Sequence, residues 1–280
     1  MAYPTPFEQA VLALRTAGCV FAEAEAELVW ARFSSTGERR AAIEQRSTGK
    51  PLEYVVGRAE FAGIHVEIGP PAFVPRHRAE ALVDEADRYT ATHVVRPGHR
   101  LVAVDLGCGC GAIAAALASR HAEWDVHATD IDADALTYAR VNGKRIGFAV
   151  HEGDWFAGLP AQLGGVCDLV VAHLPYVPTG ELGSLPRDFG DHEARVAVDG
   201  GVDGLDPWRT VTKMAGGWLA PRGVVLTQVA QHQVEHALHI AAASALEAKV
   251  IRPEGDEHVA VVSAAATGTS AEAMGQTLRS

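Results

Sequence analysis

The sequence predicts an α/β protein: a seven-stranded mixed sheet, mainly parallel, with helices on both faces. Three observations carry this. From Arg100 onward, short apolar runs alternate with longer helical stretches, the pattern of parallel strands joined by crossover helices. Leu101–Asp105 runs into DLGCGCG and then AIAAALA, which reads as strand, glycine turn and helix. The last two apolar runs, Ala248–Arg252 and His258–Ala264, have no helical stretch between them and would close the sheet as an antiparallel hairpin.

The elements follow in order. Phe7–Ala17 and Ala22–Phe33 carry helical apolar spacing, and Glu38–Ser47 forms a third helix ended near Gly49 and Pro51. These make residues 1–50 a small N-terminal helical domain. Glu53–Val56 and Ile64–Ile68, separated by a segment with Gly57 and Gly63, predict a linking β-hairpin within residues 51–75. Pro70, Pro71 and Pro75 interrupt regular structure there. The main domain spans residues 76–267 and begins with a helix at Arg78–Thr90. Its strands are Leu101–Asp105, Asp125–Thr129, Ala149–Glu152, Cys167–Ala172, Gly223–Val229 and the closing hairpin. Helices are expected at Ala133–Asn142, stopped by Gly143, then at Val211–Leu219 and Val234–Ala245. Residues 268–280 are small and polar and read as a mobile tail.

Composition bounds the function. Of 280 residues, 48% are hydrophobic and 21% charged, an ordinary globular balance. A net charge of −11 argues against a general nucleic-acid binder. No apolar run is long enough for a membrane span, and the N-terminus lacks a signal-peptide pattern, so the cytoplasm is the expected location. The four cysteines lack paired metal spacing and read as reduced thiols. His232, His236 and His239 share one helix but read as solvated, so no metal is expected.

Asp105, Gly107, Gly109 and Gly111 fit D-x-G-x-G-x-G at the end of a strand. Glycines there allow close approach of a ligand, and the following helix start offers free N–H groups. Asp130, 19 residues beyond Gly111 with Ile131 beside it, can take the two hydroxyls of a ribose. The spacing differs from the G-x-G-x-x-G of dinucleotide enzymes, which disfavours a NAD-dependent oxidoreductase. A carboxylate at Asp105 would repel a pyrophosphate but suits a cation with an amino group, such as S-adenosylmethionine (SAM). Cys108 and Cys110 fill the spacer positions. Asp154 can accept an adenine amine, with Trp155 or Phe156 packed on the ring.

At this point the chain resembles the HemK/PrmC-type SAM-dependent methyltransferases, which modify the side-chain amide nitrogen of glutamine in class 1 peptide-release factors. The likeness spans roughly residues 5 to 265, through GKPLEYVVGRAEFAG, VPRHRAEALV, DLGCGCGAIAAALA and DHEARVAVDGGVDGLDPWR. It implies a Rossmann-like class I methyltransferase domain and an N-terminal helical domain that helps to bind substrate. The family signature after the fourth strand is NPPY, whose Asn and next carbonyl hold the target –NH2. This sequence has His173, Leu174, Pro175 and Tyr176 instead. Ala194 after Glu193 and Gln228 after the fifth strand are further departures. Arg76 and Glu80 match the family's PRxxxE stretch, whose loop covers the SAM site, and with Leu174 and Glu193 are expected at the substrate.

His173 offers one acceptor where the family has an amide clamp. Its ordinary pKa range also suits a general base for a hydroxyl or ammonium group. With Tyr176 orienting the nucleophile and Pro175 beside it, the sequence reads as a methyltransferase whose acceptor is an amine, hydroxyl or carboxylate of a small molecule or peptide. Leu174 would enlarge the apolar side of the pocket. Three alternatives stand beside this. The chain could still methylate a release-factor glutamine in a Gly-Gly-Gln loop. It could use SAM as the substrate of an internal cyclisation that releases methylthioadenosine. It could bind SAM without catalysis.

Overall fold

Thr5 and Ser35 open the first and third helices with reciprocal caps. Each side chain accepts from the backbone three residues on, where Glu8 or Glu38 returns the bond. In the computed structural model, which describes residues 4–92, 100–184, 193–252 and 258–266, these helices are α1 (Pro6–Thr16), α2 (Ala22–Arg32) and α3 (Thr36–Ser47). Leu14, Ala22, Ala26, Val29 and Ile43 close a small core of their own between them. Arg46 of α3 ties to Glu25 of α2 at 2.6 Å.

The linking segment corrects one expectation. Glu53–Val56 is not a strand: it lies in a short helix, α4 (Leu52–Val56), which ends at Gly57 in the left-handed region. The helix turns Tyr54 into the main core and Val56 into the N-terminal core, two directions that a strand's period would not give. The hairpin lies just beyond it, β1 (Arg58–Phe61) against β2 (Ile64–Glu67). Its buried face, Ala59, Phe61 and Val66, packs on the main core.

The large sheet holds β3 (Val102–Leu106), β4 (Asp125–Asp130), β5 (Ala149–Glu152), β6 (Cys167–Ala172), β7 (Leu219–Ala230), β8 (Leu246–Ile251) and β9 (Val259–Ala266). Their order is β5-β4-β3-β6-β7-β9-β8, with β9 antiparallel between β7 and β8 and the rest parallel. The helices are α5 (Glu80–Thr92), α6 (Ala112–Arg120), α7 (Ala133–Ile146), α8 (Asp206–Ala215) and α9 (Val234–Ala243). Alternate residues of β3, Ala103 on one side and Val104 on the other, enter two separate cores, as a sheet covered on both faces requires.

Two boundaries differ from expectation. Gly143 does not stop α7, which continues to Gly147. A Cβ at Gly143 would lie 2.7 Å from the Phe148 carbonyl oxygen, so this glycine serves close packing rather than a turn. The stretch Val211–Leu219 is not one helix: α8 starts earlier, with Pro207 in its first turn, and Leu219 already belongs to β7. Leu219 pairs with Cys167 across a register shift, which a helical ending would have broken. The predicted tail, 268–280, lies outside the described residues.

The chain runs from β3 outward to β5, then returns to place β6 on the other side of β3. This switch point leaves a crevice beyond the carboxyl ends of β3 and β6, where open α/β sheets bind ligands.

Candidate functional site

A cavity of about 310 Å³ occupies that crevice. Its floor is the turn after β3. Gly107, Gly109 and Gly111 hold φ values of 69°, 56° and 80°, which glycine adopts freely. Gly107 N–H and Cys108 N–H both donate to the Thr129 carbonyl, at 2.8 and 3.0 Å, and so lash the turn to β4. A Cβ at Gly107 would stand 3.3 Å from the Trp155 ring, which covers the turn.

Two carboxylates flank the turn. Asp105, 1% exposed, accepts from Ala114 N–H at 3.0 Å at the start of α6. Asp130 at the end of β4 accepts from Gly109 N–H at 2.7 Å and from Asp132 N–H at 2.9 Å. Burial pushes the Asp105 carboxyl up to about 7, with the Asp130 charge adding to it. Asp130 is also raised, again by burial. Backbone donors only partly offset the loss of water. Two such carboxylates beside an open cavity are a site that a cation would stabilise.

Asp154 and Trp155 form the far wall, with Ile131 at the rim. Trp155 sits at φ 47°, a strained value for a bulky side chain, and its carbonyl accepts from the Thr129 hydroxyl at 2.8 Å. Strain of this kind clusters where a ring must face a ligand.

His173 and Pro175, just beyond β6, line the opposite wall. The His173 ring stands edge-on to Phe73 with centroids 5.9 Å apart, and tilted to Tyr176 at 6.1 Å. Burial, together with the Arg76 and Arg78 guanidiniums, pushes its pKa down to about 4, so it is neutral at pH 7. Its Nε2 is buried without a hydrogen-bond partner, and Nδ1 stays open on the cavity side.

Other predicted residues are placed differently. Leu174 does not line the cavity: it is 3% exposed and packs in the second core with Leu205 and Trp208. The reversal follows from strand alternation, which sends neighbours His173 and Leu174 to opposite faces. Glu80 also lies off the cavity. It accepts from Ala62 N–H at 3.1 Å and meets His77 at 2.8 Å, so it fastens the hairpin turn to α5. Arg76 lines the cavity, and its Nη2 donates to both carboxylate oxygens of Glu193, at 2.6 and 2.8 Å. Glu193 is buried and also accepts from Val74 N–H at 2.9 Å. This pair joins the loop before α5 to the loop before α8, and Arg76 covers the Phe73 ring at 4.7 Å. Tyr176 is held from behind, its carbonyl accepting from Gln233 at 2.8 Å.

Phe73 and Phe61 in the wall were not anticipated; apolar residues in a loop and a hairpin gave no sequence signal. Cys108 and Cys110, read as spacers, line the cavity. Both thiols are buried, and burial raises their pKa values, that of Cys110 to about 12, so they stay protonated. Among the described residues no three His, Cys, Asp or Glu side chains are grouped to hold a metal ion. No described helix is long and apolar enough to cross a membrane.

Comparisons with known proteins point the same way as this geometry. A family model described as methyltransferase small domain matches residues 79–176. The chain is 35% identical over 204 residues to the release factor glutamine methyltransferase of Moorella thermoacetica, covering 71% of this chain and 69% of that protein. It is 33% identical over 236 residues to that of Mycolicibacterium smegmatis, covering 78% and 81%. Among solved structures, a methyltransferase from Pyrococcus furiosus matches with a TM-score of 0.51 at 17% identity, covering 82% of this chain and 98% of that one. That likeness concerns the fold.

Proposed function

The chain belongs to the family of release factor glutamine methyltransferases, and from that premise we propose that it methylates the side-chain amide nitrogen of a glutamine in a protein, with a peptide-release factor as acceptor. It is a SAM-dependent methyltransferase of the HemK/PrmC type with a class I methyltransferase fold. The buried Asp105 and the half-buried Asp130 at the cavity fit SAM. Asp130 would take the ribose hydroxyls, Asp105 the cationic amino-acid end, and Asp154 with Trp155 the adenine. When bound, SAM supplies a methyl group on a positively charged sulfur.

His173 carries the choice of acceptor. A neutral imidazole near pKa 4 is a weak base, poorly matched to pulling a proton from a hydroxyl or an ammonium group at pH 7. It is a competent hydrogen-bond acceptor. Its open nitrogen can hold one amide N–H and so orient the –NH2 plane toward the turn after β3. An amide nitrogen that has gained a carbon is strongly acidic, so even this weak base suffices to take the spare proton. Pro175 lines the same cavity as His173. These points favour an amide over the amine, hydroxyl or carboxylate of a small molecule.

The test uses intact release factor bearing its Gly-Gly-Gln loop, and the same factor with that Gln changed to Glu. Mass spectrometry should find one added methyl on the glutamine amide of the first and none on the second. Methylation of both, or of neither while SAM binds, refutes the reading.

A further inference from the structure

Two buried side-chain atoms without hydrogen-bond partners, His173 Nε2 and Gln228 Oε1, belong to residues that follow a registered pair of neighbouring strands. The last registered pair of β6 and β7 is Ala172 with Thr227. The next residue on each strand is His173 or Gln228. Two residues earlier, Val171 and Leu226 are paired and share one core. Continued one residue past the end of β6, the same alternation puts His173 and Gln228 on that face, next to each other. Gln228 is 0% exposed and its Nε2 donates to the Arg78 carbonyl at 3.1 Å. That bond fixes the amide's orientation, because the reverse would set oxygen against oxygen. Gln228 Oε1 is then left buried and unpartnered, as is His173 Nε2.

Such orphans are rare, because a buried polar atom that has lost water and gained no partner is costly. These two are complementary. An amide oxygen can only accept, and an imidazole nitrogen donates when it carries the ring proton. Brought within hydrogen-bond distance, each satisfies the other if that proton sits on Nε2.

We propose that Gln228 is a positioning residue for His173: its Oε1 accepts from Nε2–H, which fixes the neutral ring in one tautomer and leaves a bare lone pair on Nδ1 facing the cavity. This rests on the reading of His173 as the amide's acceptor. With the opposite tautomer, Nδ1–H would point at the substrate's N–H and repel it. The family's Asn presents an acceptor without this ambiguity. His173 needs a neighbour that removes it, and Gln228 supplies one. The arrangement selects acceptors that bring a donor, an –NH2, rather than a carboxylate or ester.

The tautomer can be read directly in enzyme labelled with ¹⁵N-histidine, by long-range proton–nitrogen correlation. The His173 signals are assigned by their loss in His173→Asn. The wild type should show a protonated Nε2 and a bare Nδ1. Gln228→Met keeps the volume and removes the acceptor. It should shift His173 toward the other tautomer and lower kcat on the glutamine substrate by about 10- to 100-fold, the range typical of contacts that orient a working histidine, with KM for SAM unchanged. A protonated Nδ1 in the wild type overturns the proposal, and this reading needs no variant to fold. So does a Gln228→Met enzyme with wild-type tautomer and kcat. The spectrum is recorded without acceptor. A wrong tautomer with glutamine methylation intact therefore overturns this inference alone, and the right tautomer without glutamine methylation overturns the acceptor reading alone.

Discussion

Replacing Asp105 by Asn should stabilise the protein and weaken its hold on SAM, two effects of opposite sign from one atom. Asp105 is buried at the end of β3, and its carboxyl is held at about 7 against an ordinary value of 3.8. A carboxyl whose pKa is raised on folding costs stability when ionised. The cost is absent below the unfolded pKa, grows as pH rises from about 4 to 7, and is constant above. At 1.36 kcal/mol per pH unit it reaches about 4 kcal/mol. Asn fills the same space and can keep the Ala114 N–H bond through its amide oxygen. Denaturant unfolding at pH 8 should therefore show the Asp105→Asn protein more stable by up to about 4 kcal/mol, an upper bound because the amide is also desolvated, with no gain near pH 4. With Asp105 proposed to hold the cationic end of SAM, binding requires the ionised form. Wild-type affinity should fall about tenfold per unit as pH drops below 7, whereas the variant binds weakly at every pH. An Asp105→Asn variant that is less stable at pH 8, or that binds SAM as tightly as wild type, refutes this account of the site.

Other expectations follow from the same geometry. At saturating SAM, kcat should be flat between about pH 6 and 8, because His173 protonates only near 4; a tenfold fall per unit below 6.5 in a pH-rate profile would make it a conventional general base instead. His173→Asn should keep or raise glutamine methylation by restoring the family's acceptor, while His173→Ala should lose about 10- to 100-fold in kcat. Glu193→Ala removes the carboxylate that Arg76 and the Val74 N–H bond and should cost about 3 kcal/mol in denaturant unfolding, the lower end for a broken buried pair because part of Arg76 reaches solvent. Gly143→Ala should destabilise by about 1–3 kcal/mol although alanine is the better helix former, since the new Cβ meets a backbone oxygen at 2.7 Å; a gain in melting temperature would contradict it.

Much of the site was legible because its signals are local. The acid before the glycine turn and the acid closing the next strand are set by neighbours in sequence, and the sheet order follows from alternation of strand and helix. What was not legible depends on contacts across the chain. Glu53–Val56 reads apolar enough for a strand, but Tyr54 and Val56, two residues apart, serve different cores, which a strand's period would not give. Gly143 looks like a helix stop until Phe148 is seen against it. Leu174 was expected in the pocket with His173, although strand alternation separates them. The partners of Arg76 and Gln228 lie over a hundred residues away. The low pKa of His173 likewise comes from burial and two arginines on another loop, which sequence spacing does not disclose.

The central claim is methyl transfer from SAM to a glutamine amide. The most direct measurement incubates the protein with SAM, alone and with release factor, and identifies every product by mass spectrometry. The account predicts S-adenosylhomocysteine only when the factor is present, in equal amount to N-methylglutamine in its Gly-Gly-Gln loop. Methylthioadenosine from SAM alone, or a methyl group on any atom other than that amide nitrogen, would contradict it.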